Sequence, residues 1–203
     1  MTPTAPAADK SRPNRRQERH LQVRREILDT AWALAREVGL AGVSLGEVAR
    51  RVGMRTPSLY HYFPSKNDVF DAMFEEGARA HLAWVEGLRL PVDRRVAFAH
   101  IAKEFLEFCV ADTPRYQLLF QRTIPGFEPS AEAYAPAVRV MEVSSELFGG
   151  IGVSQPRHLE LAIAVMIGAV DQKISNERGD AWWQAMVEDV TNMLYNFIVR
   201  HHE

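Results

Sequence analysis

Between residues 44 and 66 lies a group of side chains that could bind a nucleic acid. They carry hydroxyl, phenol, imidazole, ammonium and guanidinium groups: Ser44, Arg55, Thr56, Ser58, Tyr60, His61 and Lys66. A helix fits the major groove of B-DNA, where its exposed side chains hydrogen-bond to base edges or bind phosphates. The competing interpretation is the polar surface of a small helical hairpin, because charges on a helix face are usually only hydrated.

A short amphipathic helix is predicted at the start of this group. Its apolar residues recur at helical spacing: Leu45, Val48, Ala49 and Val52. Ser44 is a favourable N-cap, and Glu47 three residues later completes a capping box. Gly53 is the expected stop, because glycine takes a left-handed backbone conformation without a Cβ clash.

A second short helix is predicted almost immediately after that glycine. Thr56 is its expected N-cap and Pro57 its first helical residue, a position where proline is tolerated. Pro64 ends it, and Ser65 with Asp68 forms the capping box of the next helix. Two short helices joined by a tight turn make a helix-turn-helix, whose second helix is the one that reads DNA.

These residues resemble the DNA-binding module of the TetR family of bacterial transcriptional regulators, over roughly residues 20–80. The matching positions are Ala35, Gly39, Ser44, Val48, Ala49, Gly53, Ser58, Leu59, Tyr60, Tyr62, Phe63, Ser65 and Lys66. The resemblance implies that Tyr60 and Lys66 bind phosphates and that positions 55, 56, 58 and 61 face the groove. The predicted DNA-binding residues are Ser44, Arg55, Thr56, Pro57, Ser58, Tyr60, His61, Tyr62 and Lys66.

The sequence departs from the family pattern at two positions of the first short helix. Leu45 and Gly46 stand where many members carry polar or basic residues that also reach DNA. This departure leaves fewer DNA contacts from the helix, whose Arg50 and Arg51 lie on the predicted solvent side, where they can meet phosphates. The resemblance therefore does not define an operator sequence.

Composition predicts a soluble cytoplasmic protein with an apolar core. The 203 residues are 47% hydrophobic and 25% charged, as in ordinary globular proteins. No apolar run approaches the ~20 residues of a membrane span, and the first 20 residues hold no apolar segment of a secretory signal. A single cysteine, Cys109, excludes an internal disulfide and fits a reducing compartment.

The charge distribution agrees with a DNA-binding N-terminal part. Residues 1–66 hold 12 basic and 6 acidic residues, whereas the remainder holds 12 basic and 20 acidic ones. The net charge of −2 is therefore the sum of +6 at the N-terminal end and −8 in the rest. A basic part attached to an acidic one is the electrostatic pattern of a protein that contacts nucleic acid at one end.

Three regions are predicted along an all-α chain. Residues 1–14 are a disordered basic arm that either reaches DNA or is a flexible tail. Residues 15–66 form the helix-turn-helix head, and residues 67–203 a helical ligand-binding and dimerisation body.

The first helix is expected to end at Gly39, and the fourth to run from Ser65 toward Leu90 as the link between head and body. Five further helices are predicted at Asp93–Cys109, Thr113 to about Gly126, Ser130–Phe148, Leu159–Ile174 after a Ser154–Pro156 start, and Ala181–Arg200.

The last two helices are predicted to form a dimer interface. The earlier one is apolar nearly all round: Leu161, Ile163, Ala164, Val165, Ile167, Gly168 and Val170. The later one has an apolar stripe: Trp183, Met186, Val187, Val190, Leu194 and Phe197. A helix that is apolar on every side must be covered on every side, and the resemblance implies pairing with the same helices of a second copy. The alternative is burial within one subunit. A dimer would read a pseudo-palindromic double-stranded operator with half-sites ~34 Å apart or a multiple of that distance.

The body also holds aromatic and methionine residues suited to an apolar ligand pocket. The predicted ligand-binding residues are Phe105, Phe108, Tyr116, Phe120, Met141 and Met166. Such residues at helical spacing are more often plain core, so this interpretation competes with simple packing.

The favoured functional hypothesis is a homodimeric repressor that a small, largely apolar effector releases from DNA. The alternative is an activator, or a ligand-independent regulator that acts through protein partners. An enzyme is not expected, because the sequence has no glycine-rich phosphate loop, no metal-ligand spacing and no G-x-S-x-G elbow. No cofactor, metal or membrane partner is expected either.

Overall fold

The computed structural model describes residues 15–153, 155–176 and 178–200. Within these ranges the chain forms helices and no strands, which confirms the all-α prediction. The helices are α1 Arg15–Gly42, α2 Leu45–Arg51, α3 Thr56–Leu59, α4 Lys66–Gly87, α5 Arg94–Ala111, α6 Thr113–Phe120, α7 Ala131–Gly150, α8 Pro156–Ser175 and α9 Asp180–Arg200. The predicted arm, residues 1–14, and the predicted helix start at Ser154 lie outside the described residues.

The head packs around one apolar core to which α1, α2, α3 and the first turns of α4 all contribute. Its most deeply buried side chains include Ile27, Trp32, Val48, Leu59, Phe63 and Phe70. Trp32 is therefore a core residue. Gly39 interrupts α1 with φ 74° and ψ 164°, and residues 40–42 add a last helical turn beyond it.

Two helices end earlier than the sequence predicts. The helix α4 stops at Gly87 rather than near Leu90, and the Arg89 guanidinium donates hydrogen bonds to the carbonyls of residues 86–88. Glycine disfavours helix, and these bonds satisfy carbonyls that the helix end leaves open. The helix α6 stops at Phe120, because Gln121 takes an extended conformation and donates its side-chain N–H to Asp171, 2.6 Å away.

The body has a second apolar core between α5, α6, α8 and α9. Its buried residues include Phe98, Leu106, Tyr116, Val170, Trp183 and Leu194. The helix α7 packs along α4, and Val85, Val140 and Val143 are buried in a smaller cluster there. The long helix α4 thus contributes to the core of the head and to the packing of the body.

Polar contacts reinforce that link. The Arg36 guanidinium of α1 lies 2.6 Å from a carboxylate oxygen of Asp112, the N-cap of α6, and Arg115 lies 3.2 Å from the same oxygen. The Asp71 carboxylate of α4 accepts hydrogen bonds from the backbone N–H and hydroxyl of Ser130, the N-cap of α7, at 2.6 and 2.8 Å. The head is therefore tied to α6 as well as to α4.

Candidate nucleic-acid interface and ligand cavity

The turn between α2 and α3 forms for the local reasons that the sequence predicts. The Ser44 hydroxyl caps α2 by accepting the N–H of Glu47 at 3.2 Å. Gly53 has a φ of 72°, a value that residues with a Cβ rarely adopt. The Glu47 carboxylate, however, bonds to Arg50 and Arg51 instead of closing the predicted capping box.

The two arginines of α2 are held by carboxylates. Arg51 makes a two-pronged contact with Glu37 at 2.7 and 2.6 Å, and Arg50 contacts Glu47 at 2.8 and 2.7 Å. Hydrogen bonds from Arg50 and then Arg51 lower the pKa of the Glu47 carboxyl to about 2, and the bond from Arg51 lowers that of Glu37. A DNA phosphate must compete with these carboxylates, so Arg50 and Arg51 offer less positive charge than the sequence suggests.

The short helix α3 is anchored by apolar residues and presents its polar ones. Leu59 and Phe63 are completely buried in the head core. The predicted DNA-binding residues that are exposed on α3 or beside its ends are Arg55, Pro57, Ser58, Tyr60 and His61. Thr56 is half-buried and is the first helical residue, not the N-cap. The N-cap is Arg55, which makes no side-chain capping bond because a guanidinium has no acceptor atom. Pro57 lies in the first turn, where proline is tolerated.

Two other predicted DNA-binding residues are partly engaged inside the head. The Tyr62 ring stacks on His20 with centroids 4.8 Å apart, and its carbonyl accepts a hydrogen bond from Arg24. The Lys66 ammonium lies 5.2 Å from the ring centroid of Phe70, at the start of α4. Ser65 caps that helix through the N–H of Asp68 at 3.2 Å, so the predicted N-cap is confirmed.

A basic cleft separates the start of α1 from the end of the helix-turn-helix. It is lined by Arg16, Gln17, Arg19, His20, His61 and Tyr62. Sequence reasoning placed His61 and Tyr62 at the interface but missed His20. The i, i+3, i+4 spacing of Arg16, Arg19 and His20 was the available signal, because it places all three on one face of α1.

The body contains a cavity of about 200 Å³ between α4, α5, α6, α7 and α8. Its wall is formed by Phe74, Ala78, His81, Trp84, Val85, Leu88, Ile101, Phe105, Leu119, Phe120, Tyr134, Ala137, Val140, Met141, Ser144, Leu147, Phe148, Ile163 and Met166. Four predicted ligand-binding residues are therefore in the wall: Phe105, Phe120, Met141 and Met166. Tyr134 and Met141 are 49% and 46% exposed, so the cavity opens to solvent along α7.

The other two predicted ligand-binding residues are not in this wall. Phe108 stacks on His81 and Trp84 from outside the cavity, at centroid distances of 5.0 and 5.3 Å. Tyr116 is 1% exposed, and its hydroxyl donates a hydrogen bond to Asp171 at 2.7 Å. Both side chains contact neighbouring side chains rather than the cavity. Burial and the Asp171 carboxylate also raise the pKa of the Tyr116 phenol.

His81 is the residue of this wall that the sequence analysis overlooked. It is 8% exposed, and burial lowers the pKa of its imidazole to about 4. It follows Phe74 and Ala78 on the buried stripe of α4, at spacings of seven and three residues. A polar side chain that continues an apolar stripe was the signal that could have revealed it.

The outer faces of α8 and α9 keep an apolar surface. Trp183, Val190 and Leu194 are buried within the chain, so much of the predicted α9 stripe already packs in one subunit. Several other residues of the two helices stay exposed: Leu161, Ala164, Gly168, Met193 and Phe197. Leu161, Met193 and Phe197 are 38%, 53% and 39% exposed.

Membrane and metal features are absent from the described part of the chain. None of its helices combines the length and the apolar character needed to cross a bilayer. In residues 15–153, 155–176 and 178–200 no three histidine, cysteine, aspartate or glutamate side chains are grouped so that they could hold a metal ion.

Comparison with known sequences matches the head to one family. Residues 27–73 fit the family described as bacterial regulatory proteins, tetR family. The HTH-type transcriptional regulator AcrR of Shigella flexneri is 29% identical over 100 residues, which make up 48% of this chain and 46% of AcrR. The match therefore spans about half the length of that relative.

Comparison with solved structures extends the likeness to the whole fold. A protein of unknown function from Rhodococcus sp. RHA1 superposes with a TM-score of 0.72 at 18% identity, over 95% of this chain and 99% of that one. A TetR variant from Acinetobacter baumannii AYE, in complex with minocycline, gives a TM-score of 0.57 at 19% identity, over 84% and 93%. At such identities the likeness concerns the fold alone.

Proposed function

We propose that the chain, whose head matches the tetR family of bacterial regulatory proteins, is a transcriptional regulator: a homodimeric repressor that a small, largely apolar ligand releases from its operator. The observation that carries the proposal is the head. Buried Leu59 and Phe63 hold a short helix whose exposed side chains can hydrogen-bond to DNA. The cavity beside α4 supports the ligand-dependent part.

The DNA-binding residues divide into two roles in this proposal. Tyr60, 47% exposed, and Lys66 anchor phosphates, and these contacts carry no sequence information. Arg55, Ser58 and His61 supply the contacts to base edges. Ser44, Thr56, Pro57 and Tyr62 shape or border this surface.

The course of α4 supports release by a ligand. The helix begins beside the head at Lys66 and contributes His81, Trp84 and Val85 to the cavity wall. A ligand that binds better at one position of α4 shifts the balance between two head spacings, with typical coupling energies of ~1–3 kcal/mol. A fold neighbour from Acinetobacter baumannii AYE binds minocycline, which supports a ligand role for such a body.

Dimerisation through α8 and α9 supplies the second head. The exposed apolar residues Leu161, Met193 and Phe197, together with exposed Ala164 and Gly168, form a surface that a second copy would cover. The small residues let two helix backbones approach closely. Two heads related by a two-fold axis then read successive half-sites.

Fluorescence anisotropy on the DNA upstream of the protein's own gene tests the proposal. Binding should saturate at one dimer per half-site pair and weaken steeply with salt, because each phosphate contact adds ~0.9 to the log–log slope. Tyr60→Ala should weaken binding to all sequences alike, whereas Ser58→Ala should change the sequence preference. Unchanged affinity in Tyr60→Ala would refute the proposed docking, and the absence of binding to any genomic DNA would refute the regulator.

A further inference from the structure

The cavity wall contains almost no polar groups, which limits the ligands it can hold. Of its side chains, only His81, Ser144, Tyr134 and Trp84 carry a nitrogen or an oxygen, and none is an aspartate, glutamate, lysine or arginine. A ligand that enters must leave water. A charged group would then be buried without an opposite charge, which is strongly unfavourable.

His81 is a polar group with unused hydrogen-bonding capacity in this wall. Its side chain is more than nine-tenths buried. Its contacts with described residues are ring contacts, with Trp84 at 5.6 Å, Phe105 at 6.1 Å, Phe108 at 5.0 Å and Phe120 at 5.5 Å. Among the described residues no hydrogen bond to its imidazole is formed. Because His81 belongs to the cavity wall, its imidazole can hydrogen-bond to a polar group that enters the cavity.

The imidazole is neutral at physiological pH. Burial alone lowers its pKa to about 4, so at pH 7 one ring nitrogen donates a hydrogen bond and the other accepts one. It therefore offers no positive charge to a carboxylate ligand. A cation would find aromatic rings, but Trp84 already stacks on His81 and Phe108, at interplanar angles of 26° and 27°.

From this geometry we infer that the effector is a neutral one- or two-ring molecule whose single hydroxyl or carbonyl group hydrogen-bonds to His81. The size follows from the volume of about 200 Å³, since an apolar cavity of about 150 Å³ already holds benzene. The half-exposed Tyr134 and Met141 form the entrance. The inference rests on the proposed function, because it names the ligand of the same cavity.

The proposed hydrogen bond to His81 also explains how binding of such a small molecule can affect the head. His81 and Lys66 belong to the same helix, α4, fifteen residues apart. A hydrogen bond to His81 therefore acts directly on the helix that supports the DNA-binding surface, without an intermediate element.

A matched set of naphthalene derivatives tests the inference by isothermal titration calorimetry at pH 7. The probes are 2-naphthol, naphthalene, 2-naphthoate and 2-naphthylmethylammonium, which share two rings and differ in one group. We expect 2-naphthol to bind one per chain, and naphthalene to bind about two- to tenfold more weakly, the value of one neutral hydrogen bond. The two charged probes should bind more than about 100-fold more weakly.

Substitution of the histidine locates the effect. His81→Phe keeps an aromatic ring of similar size and should abolish the preference for 2-naphthol over naphthalene. The matched control is His158→Phe, which removes another buried histidine, 6% exposed and absent from the cavity wall, and should retain the preference. Circular dichroism of both variants verifies folding.

Three results would overturn the inference: no binding of 2-naphthol, equal binding of a charged probe, or a preference that survives in His81→Phe. Anisotropy on operator DNA is measured separately and reports on the proposed function. DNA binding without 2-naphthol binding refutes only the ligand class. Binding of 2-naphthol with the expected preferences, but without any DNA binding, supports the ligand class and refutes the regulator.

Discussion

The head and the cavity use polar side chains in opposite ways. On the head, several hydrogen-bonding residues stand exposed on a rigid apolar core, and Leu59 and Phe63 beneath them are completely buried. In the cavity the relation is inverted, because an apolar wall surrounds the largely buried imidazole of His81. In the proposed function, recognition of DNA is thus distributed over many hydrated groups, whereas the proposed recognition of a ligand depends on the single imidazole of His81.

This difference has an energetic consequence. Each exposed polar side chain of the head is hydrated in the free protein and would replace its water with a DNA group on binding. Substitution of one such residue should therefore change the affinity for DNA without changing the free energy of unfolding. His81 is already desolvated in the free protein, so its protonation affects folding as well as binding. Three substitutions that follow from this comparison are described in order of expected effect.

The largest effect is expected from the core beneath the DNA-binding surface. Phe63→Ala should lower the free energy of unfolding by about 3–5 kcal/mol, because a fully buried phenyl ring is lost and a cavity remains. Urea denaturation measures the change. The control is Tyr60→Ala, three residues earlier and 47% exposed, which should change stability by no more than about 0.5 kcal/mol. A loss below about 1 kcal/mol in Phe63→Ala would show that this core does not support the head.

The next effect concerns His81 and pH. The pKa of His81 in the folded protein is about 4, below the ordinary value of about 6.5. The contribution of this histidine to the free energy of unfolding is therefore fully retained above pH 6.5. As the pH falls toward 4 the unfolded chain takes up a proton that the folded one excludes. This proton uptake lowers the free energy of unfolding by about 3 kcal/mol at pH 4. His81→Phe should remove this part of the decline between pH 7 and pH 4, as measured by urea denaturation at several pH values.

A histidine of the head provides the control for that experiment. His61 is exposed, and His61→Phe should retain the decline of the unsubstituted protein. An equal decline in His81→Phe and His61→Phe would contradict the view that the cavity holds a desolvated neutral imidazole.

The smallest effect distinguishes two cations of the head. Lys66→Gln should reduce the salt slope of DNA binding by about 0.9 per head, because one phosphate contact is lost. Arg51→Gln should reduce it by less, since Glu37 and Glu47 already hold that guanidinium at 2.6 and 2.8 Å. Anisotropy at several salt concentrations measures both. A larger reduction for Arg51→Gln would mean that DNA displaces these carboxylates.

The order of the short helices and the turn of the head could be predicted because their signals are local, although Thr56 is not the N-cap of α3 and Glu47 does not close the predicted capping box. Ser44 and Ser65 cap the helices that begin directly after them, and Gly53 takes the positive φ that its turn requires. Each of these features depends on residues within one helical turn. The exception is Arg51, whose partner Glu37 is fourteen residues away.

The cavity was only partly predictable because the residues of its wall are brought together by helices that are distant in the chain. Phe105, Phe108, Tyr116 and Phe120 look alike in the sequence, yet only Phe105 and Phe120 are in the wall. The direction of each ring depends on how α5 and α6 are rotated against α4 and α8. His81 was overlooked because it continues the apolar stripe of α4, which was interpreted as core.

The sequence by itself therefore determined the all-α character, the helix-turn-helix and the basic charge of the N-terminal part. These properties follow from helical periodicity, capping and residue type, which act over a few neighbouring positions. The tertiary structure decided which aromatic residues border the cavity, which arginines are engaged by carboxylates and which histidine is desolvated. Those properties depend on contacts between helices distant in the chain, whose relative rotation is set by the packing of the cores.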